Sequence, residues 1–294
     1  MNLGRIGVWT GALGLMPAAQ ARGAVEEIEA LGFGAIWYPE PVGGKEALSH
    51  GALLLGWSDR IVVASAIANI WARDAIAMAN AGRALTDAFP GRFLLGVGAS
   101  NEVSVPARGH EYSRPFSRMR EYLDAMDDAP YLAPEPEAPV RRILAALGPR
   151  MLALGAERSV GVHPYFVPVE HTAFAREVIG SGPLLAVEQA VALTEDRAEA
   201  RRIASDQMKF YLARRPYRDN LERLGWSETD MEGAGSDALI DAIVAWGDVD
   251  AVRARVQAHF DAGADHVCIQ PLGAESSDPQ LGRLRQLAPA LMEA

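Results

Sequence analysis

The sequence is poor in cysteine: its 294 residues contain one, Cys268. A single cysteine excludes an internal disulfide framework and a cysteine-based metal cluster. The sequence also lacks an HExxH pattern and any run of carboxylates spaced for a metal ion, so we predict no metal site. Sparse cysteine fits a reducing compartment, and we predict a cytoplasmic protein. Cys268 stands in a short apolar run, which favours a place in the core over a place in a site.

Long hydrophobic runs are lacking as well, since none approaches the roughly 20 residues that a membrane span needs. Residues 1–21 share some features with a signal peptide, namely Arg5, an apolar stretch and the small residues at 19–21. Gly14 and Pro17 interrupt that stretch, however, and we interpret the segment as a first strand followed by a loop.

Positive charge is in deficit, because 38 acidic residues outnumber 28 basic ones and give a net charge of −10. This balance argues against nucleic acid or an anionic membrane as a partner. It leaves room for an anionic cofactor, since local arginines and helix N-termini bind phosphate within acidic proteins.

An alternation of helix and strand organises the chain. The segments EALGFGAIWYPE and FDAGADHVCIQP, at residues 29–40 and 260–271, are the same unit twice: a helix end, a glycine, a strand and a proline. The strands are short and apolar, as in a parallel sheet buried on both faces. We predict eight of them, at residues 5–9, 34–38, 61–68, 92–97, 142–147, 160–167, 183–191 and 265–270. Eight such units predict an α/β fold, a (β/α)8 TIM barrel, with a doubly wound sheet as the alternative.

Two segments depart from this alternation. Residues 99–114 form an irregular stretch after the fourth strand. Residues 195–247 are too long for one crossover and have a helical pattern throughout, which predicts a helical insertion between the seventh and eighth strands. No low-complexity linker divides the chain, so we expect a single domain over residues 1–294.

Several segments together carry a family resemblance. An arginine-led helix runs into a Gly-Arg-Phe turn and a strand that ends in Gly-Val-Gly, RDAIAMANAGRALTDAFPGRFLLGVGAS. Segments at other strands agree with the same family: GVWTG, GFGAIWYPEP, ALGPRMLALGAERSVG and AGADHVCIQP. Their order and spacing resemble the bacterial-luciferase-like family of flavin- and F420-dependent oxidoreductases. RMREYLDAMD and AVEQAVALTED are most similar to its F420-dependent branch.

The resemblance implies hydride transfer between the deazaflavin F420 and a small organic substrate, in a homodimer. Two alternatives stay open: an FMN-dependent monooxygenase of the same fold, and a non-catalytic barrel that only binds the cofactor. The resemblance also implies a non-prolyl cis peptide at the end of the third strand, where the matching bond is Ala66–Ile67. The alternative for that position is an ordinary strand end.

Barrel enzymes place their sites at the carboxyl ends of the strands. The residues there are rich in aromatic rings and amides, which suits a flat redox ring whose own chemistry does the reaction. The catalytic candidates are Glu40, as a general acid or base, and His163, as a proton donor; the alternatives are a loop carboxylate and a histidine satisfied in the core. The candidates for cofactor binding are Trp9, Tyr38, Ala66, Ile67, Asn69, Gly98, Ser100, Asn101, Gly148 and Arg150.

Two motifs qualify this assignment. Gly96-Val97-Gly98 lacks the last glycine and the following helix of a dinucleotide fingerprint, so we expect these glycines to let the backbone approach a ring or phosphate. Asn101 stands where some F420-dependent sugar dehydrogenases resembling this chain have a catalytic glutamate, and Glu102 follows it. The histidine that those enzymes carry after the second strand is absent. The sequence therefore does not predict sugar-phosphate oxidation.

Overall fold

A computed structural model describes residues 1–273, 278 and 280–292. The strands are β1 Ile6–Trp9, β2 Ala35–Tyr38, β3 Val62–Ser65, β4 Ala68–Asn69, β5 Phe93–Gly98, β6 Arg142–Ala145, β7 Gly161–His163, β8 Leu184–Leu193, β9 Val244–Gly247 and β10 His266–Pro271. The helices are α1 Ala12–Leu15, α2 Ala18–Ala30, α3 Ala47–Gly56, α4 Ala75–Ala88, α5 Pro115–Asp127, α6 Pro149–Arg158, α7 Val169–Ile179, α8 Arg197–Leu212, α9 Arg215–Arg223, α10 Asp237–Ile243, α11 Val249–Asp261 and α12 Leu281–Met292.

The strands close into a parallel barrel. Their order is β10-β1-β2-β3-β5-β6-β7-β8, and β8 pairs back onto β10 with His266 opposite Ala186. Each strand is buried on both faces, one toward the barrel interior and one toward the surrounding helices. The predicted (β/α)8 barrel is confirmed, and the doubly wound alternative is wrong.

Side chains fix where the helices begin. Asp74, Asp196, Ser236 and Asp248 each precede a helix and accept hydrogen bonds from the free amides of its first turn. Such caps satisfy amides that have no partner within the helix. These four helices therefore begin at defined residues.

The predicted strand 61–68 is divided in the structure. β3 ends at Ser65, and β4 begins at Ala68 and pairs only with β5. The bond between them, Ala66–Ile67, is a non-prolyl cis peptide, as the resemblance implies. The predicted strand 160–167 is also shorter, since β7 ends at His163.

The segment 195–247 holds α8, α9 and α10, but it is not helical throughout. Its last four residues form β9, which pairs in parallel with the outer half of β8 at Ala190–Leu193. The helices enclose a second apolar cluster that includes Met208, Leu221 and Leu239. The pairing of β9 with β8 therefore attaches this segment to the barrel, and the helices have a small apolar core of their own.

Large side chains fill the barrel interior. Trp37 stacks on the ring of His163 at 4.5 Å between centroids, and its indole nitrogen donates to Nε2 of His266 at 2.9 Å. Cys268 lies in the same interior and is fully buried, which confirms its assignment to the core. Among the described residues, no helix combines the length and apolar character needed to cross a membrane.

Candidate active site

A cavity of about 750 Å³ opens at the carboxyl ends of the strands. Its volume lies within the usual range for small-molecule and cofactor sites. Ten of the predicted site residues line it: Trp9, Glu40, Ala66, Ile67, Asn69, Gly98, Ser100, Asn101, Gly148 and His163. The structure thus brings together residues from six segments of the chain.

Two predicted cofactor-binding residues lie elsewhere. Tyr38 is buried on the outer face of β2, and its hydroxyl donates to the carbonyl of Ala47 at 2.8 Å. Successive strand residues point to opposite faces, so Trp37 faces the interior and Tyr38 faces α3. Arg150 is exposed on α6, with its guanidinium 4.1 Å from the ring centre of Phe116. Neither side chain lines the cavity.

Arg223, which the sequence analysis did not single out, stands near where Arg150 was expected. A Cβ placed on Gly148 would lie 3.5 Å from a terminal nitrogen of Arg223. Both residues line the cavity, and Gly148 caps the N-terminus of α6. A guanidinium and a helix N-terminus together favour an anionic group at this end of the cavity.

Glu40 is held in a polar network at the cavity wall. It forms an ion pair with Arg73, and its side chain is 3 % exposed. Its carboxylate also accepts from the amides of Ala47 at 3.2 Å and Asn69 at 2.8 Å. These partners occupy both oxygens, so the geometry favours a role in fixing the chain after the third strand.

His163 is a neutral histidine at the cavity floor. Burial lowers its pKa to about 4, and its Nδ1 lies 2.9 Å from the carbonyl of Ala186, which requires a proton on that nitrogen. Nε2 then carries a lone pair, and it is buried without a hydrogen-bond partner. At neutral pH this side chain can accept a hydrogen bond from a ligand, whereas a proton-donor role is not supported.

The glycines of the fourth predicted strand make room for the neighbouring strand. A Cβ on Gly96 would lie 1.8 Å from the carbonyl oxygen of Ser65, and one on Gly98 would lie 2.3 Å from the side chain of Ile67. The expectation that these glycines admit a ring or phosphate is therefore corrected, since the chain's own atoms occupy that space. Gly98 still lines the cavity beside Ile67.

The segment 99–114 covers one side of the cavity. Asn101 accepts hydrogen bonds from the amides of Val103 and Ser104, so it caps a turn. Glu102 accepts from the amide of Arg215 at 2.6 Å and connects this loop to α9. Asn101 has no carboxylate, and Glu102 has one oxygen bound to this amide and the other buried without a hydrogen-bond partner.

The opposite wall is aromatic and comes largely from the insertion. Phe210, Tyr211 and Tyr217 project from α8 and α9 toward Tyr165, whose ring centre lies 4.9 Å from that of Tyr211. On its other side Tyr165 contacts Trp9, also at 4.9 Å. The segment MKFYLARRPY at 208–217 carries these rings. The high density of aromatic residues in this segment was the signal that the sequence offered for a cavity wall. Helical periodicity alone does not indicate which face of α8 or α9 meets the barrel mouth.

Glu188 is a buried carboxyl beneath this wall. It is 1 % exposed, and one oxygen accepts from the amide of Phe166 at 3.1 Å while the other has no partner. Burial raises its pKa to about 8. The next residue, Gln189, points outward and donates to the carbonyl of Ile243. Of these two strand-end residues, only Glu188 faces the interior.

A match to a family model assigns this barrel and its cavity to a known class of proteins. The family model described as luciferase-like monooxygenase matches residues 1–266, most of the chain. The chain belongs to the luciferase-like monooxygenase family. Its barrel and its cavity at the strand ends are therefore those of an oxidoreductase family, as the sequence segments predicted.

Proteins similar to this chain include a curated reductase and several solved structures of the same fold. A curated 5,10-methylenetetrahydromethanopterin reductase of Methanolobus tindarius is 24 % identical over 83 % of this chain and 88 % of its own. An F420-dependent secondary alcohol dehydrogenase, solved with an F420–acetone adduct, superimposes with a TM-score of 0.74 at 15 % identity over 98 % of both chains.

Two further solved structures share the fold. The F420-dependent tetrahydromethanopterin reductase of Methanopyrus kandleri has a TM-score of 0.75 at 15 % identity, over 98 % of this chain and 99 % of its own. The oxygenating constituent of 3,6-diketocamphane monooxygenase of Pseudomonas putida, in complex with FMN, has a TM-score of 0.72 at 17 % identity, over 98 % and 97 %. At these identities the structures establish a common fold.

Proposed function

We propose that this family member is an F420-dependent oxidoreductase that transfers a hydride between the deazaflavin and a small organic substrate. The observation that carries the proposal is the cavity at the strand ends, with flat apolar walls and a cationic end at Gly148 and Arg223. A flat ring with an anionic tail matches that distribution of surfaces. F420, when bound, supplies the two-electron carrier, and the chain supplies orientation and electrostatics.

The residues present fit such a group. Trp9 Nε1 and His163 Nε2 are buried polar atoms without partners, a donor and an acceptor, on residues that line the cavity. Buried polar atoms are normally paired, so this pair favours a ligand with polar ring atoms. Ala66, Ile67 and Gly98 would back the ring. Further contacts are proposed for Asn69, Ser100, Asn101 and Gly148.

The choice of F420 over FMN rests on the relatives. The curated reductase from Methanolobus tindarius and two of the similar structures are enzymes of F420 or methanopterin chemistry by name. FMN is the second candidate, for a monooxygenase, because the family description and the FMN-bound diketocamphane enzyme support it.

Titration with each cofactor tests the proposal. We expect saturable quenching of F420 fluorescence by the protein, and weaker binding of FMN measured in the same way. Trp9→Phe removes the indole donor and should weaken F420 binding by roughly five- to tenfold, the worth of about one hydrogen bond. Trp57→Phe, away from the cavity, is the matched control. Tighter binding of FMN than of F420 would reverse the assignment.

The assembly is proposed on the family resemblance, and the location on the scarcity of cysteine. We propose a cytoplasmic homodimer acting on a small molecule. Sedimentation equilibrium of the purified chain, with and without F420, should give twice the mass of 31.5 kDa. A monomeric mass under both conditions would contradict the homodimer.

A further inference from the structure

We propose that the hydroxyl of Tyr165 donates the proton to the substrate's oxygen, that the substrate is a conjugated or aryl carbonyl compound, and that Glu188 and Gln270 are positioning residues for Tyr165. This inference deepens the proposed function and rests on it for the hydride. It concerns a polar cluster that stands under the aromatic wall, at a point where the strand ends meet the insertion.

Tyr165 presents its hydroxyl at the cavity. It lies two residues beyond β7 and lines the cavity, and its hydroxyl donates to the side-chain oxygen of Gln270 at 2.7 Å. Gln270 lines the cavity too. The ring of Tyr165 contacts Trp9 and Tyr211, with 4.9 Å between ring centres in each pair. Its orientation is therefore fixed by two ring contacts and by the hydrogen bond at the hydroxyl.

Glu188 fixes the backbone beside Tyr165. The amide that donates to Glu188 belongs to Phe166, whose φ of +57° lies in the left-handed region. A bulky residue rarely adopts that conformation, and it persists where neighbouring contacts impose it. The carboxyl of Glu188 provides such a contact and so sets the direction in which the chain presents Tyr165.

Within the described part of the chain, the shift of the Glu188 pKa has no charged group among its causes. The titratable groups near it are the hydroxyls of Tyr165, Tyr211 and Tyr217 and the thiol of Cys268. Burial raises the pKa of each of these groups, so all are neutral at neutral pH. Glu188 therefore carries its own proton near pH 7, and its free oxygen can act as a donor in the same cluster.

The site residues predicted from the sequence are engaged or unprotonated. Glu40 is paired with Arg73, Asn101 caps a turn, and His163 carries its single proton on the nitrogen that faces Ala186. Tyr165 keeps its proton, because burial holds its pKa well above 10. It combines a retained proton with a hydroxyl at the cavity wall, and that hydroxyl would exchange Gln270 for the substrate's oxygen as its acceptor.

The proposed reaction reduces the carbonyl group of the substrate to an alcohol. The carbonyl carbon gains the hydride and the C=O π bond breaks, while the O–H bond of Tyr165 breaks and a new O–H bond forms on the substrate. The tyrosinate regains its proton from solvent when the product leaves the cavity. The flat rings of Trp9, Tyr211 and Tyr217 favour a planar, conjugated molecule beside this donor.

A push–pull aldehyde, 4-(dimethylamino)cinnamaldehyde, tests the donor directly. Its absorption moves to longer wavelength when its carbonyl oxygen accepts a strong hydrogen bond. We expect a saturable red shift when the protein is added, with and without oxidised F420. In Tyr165→Phe the probe should still bind, seen as quenching of tryptophan fluorescence, but the red shift should be lost. Tyr131→Phe, on a residue that does not line the cavity, is the control and should behave as the wild type.

The variant Glu188→Gln distinguishes a role of the Glu188 carboxyl in positioning Tyr165 from a role in packing alone. In the wild type the red shift should weaken as the pH rises through about 8, because a negative charge beneath Tyr165 weakens its hydroxyl as a donor. The glutamine variant should keep the shift at pH 7 and keep it unchanged to pH 9.5. With reduced F420, Tyr165→Phe should lower kcat for the aldehyde by roughly 10²- to 10⁴-fold, the usual worth of a general acid.

The outcomes are distinguishable. A red shift that persists in Tyr165→Phe, or a wild type that binds the probe without a shift, overturns the assignment of Tyr165. A pH response shared by the wild type and Glu188→Gln overturns the role of Glu188. Failure of F420 to bind while the probe still shifts would refute the proposed cofactor and leave the carbonyl site standing.

Discussion

Gly96 shows how one residue determines the shape of the barrel at the candidate site. Its missing side chain lets β5 approach β3 until the carbonyl of Ser65 stands where a Cβ would be. Ser65 uses the same proximity, since its hydroxyl bonds both the amide and the carbonyl of Gly96 at 2.9 Å. The close contact precedes the Ala66–Ile67 bend, so a change at Gly96 reaches the cavity through the backbone.

Gly96→Ala should therefore destabilise the protein strongly. The added Cβ meets a backbone atom that cannot rotate away, and we expect a loss of about 3 kcal/mol or more in the free energy of unfolding. Urea titration followed by circular dichroism measures it. Gly23→Ala is the control: Gly23 lies in α2 with no atom within 4 Å of its Cβ position. It should gain about 0.5–1 kcal/mol from helix propensity.

Glu188→Gln should stabilise the protein at alkaline pH. The folded pKa of about 8 exceeds the value of 4.5 expected in the unfolded chain. A raised carboxyl pKa gives stability that is complete below pH 4.5 and is lost as the pH rises through about 8. Glutamine cannot ionise, so the variant should be more stable than the wild type at pH 8.5, by an amount on the order of 2–4 kcal/mol.

The two proteins should converge toward pH 5, where the wild-type carboxyl is protonated in the folded state. Thermal melts at both pH values measure the difference, and Glu177→Gln, on an exposed residue of α7, provides the comparison. A stability gap that did not change with pH would contradict the buried, protonated carboxyl.

At the scale of elements, side chains far apart in sequence join helices to strands. Glu29, at the end of α2, accepts hydrogen bonds from the amides of Asp59, Arg60 and Ile61, just before β3. These bonds lower the pKa of Glu29 against the effect of burial. The carboxylate thus pairs the amides at the end of the loop that leads into the third strand and holds that loop against α2.

Glu29→Ala should cost about 1–3 kcal/mol, because three amides lose a charged acceptor at a partly exposed site. The midpoint of urea unfolding reports the change. Glu26→Ala, one turn earlier, removes only an exposed ion pair with Arg22 and should cost less than about 0.5 kcal/mol. Equal losses of stability in the two variants would contradict the role of Glu29 in holding this loop.

The sequence predicted elements better than the directions of side chains. Glycine stops and apolar runs located all eight barrel strands, because burial on both faces leaves a strong local pattern. The side chain of Tyr38 was misplaced because strand alternation is set by register with neighbouring strands, which no local pattern records. Arg223 and Tyr217 were missed since they reach the cavity only through the packing of the insertion.

At the scale of the whole molecule, five buried histidines make the fold sensitive to acid. Burial lowers the pKa of His50, His163, His171 and His266 to about 4 and that of His259 to about 3. The unfolded chain binds these protons near pH 6.5. Stability is therefore complete above that pH and falls as the pH drops toward 4, where the folded protein begins to bind them too.

Melting temperature should thus decrease steeply between pH 6.5 and 4.5. One histidine contributes an amount on the order of 2–3 kcal/mol over the whole interval. His163→Gln should flatten the dependence of stability on pH, even if its stability at pH 7.5 is lower. His110→Gln, in the loop over the cavity, should leave the dependence unchanged. A slope that His163→Gln left intact would contradict a neutral His163.

The ten residues of β8 have a consequence for recombining this barrel with others of its kind. The inner part of the strand closes the barrel, and Ala190–Leu193 also carry β9. A chimera that swapped the insertion by cutting after Leu193 would separate β9 from the strand it was matched to. Cutting before Ala190 would transfer residues 190–193 together with β9 and would preserve their register. This point in β8 is therefore the preferred crossover for exchanging the insertion, and with it one wall of the cavity, between homologous barrels.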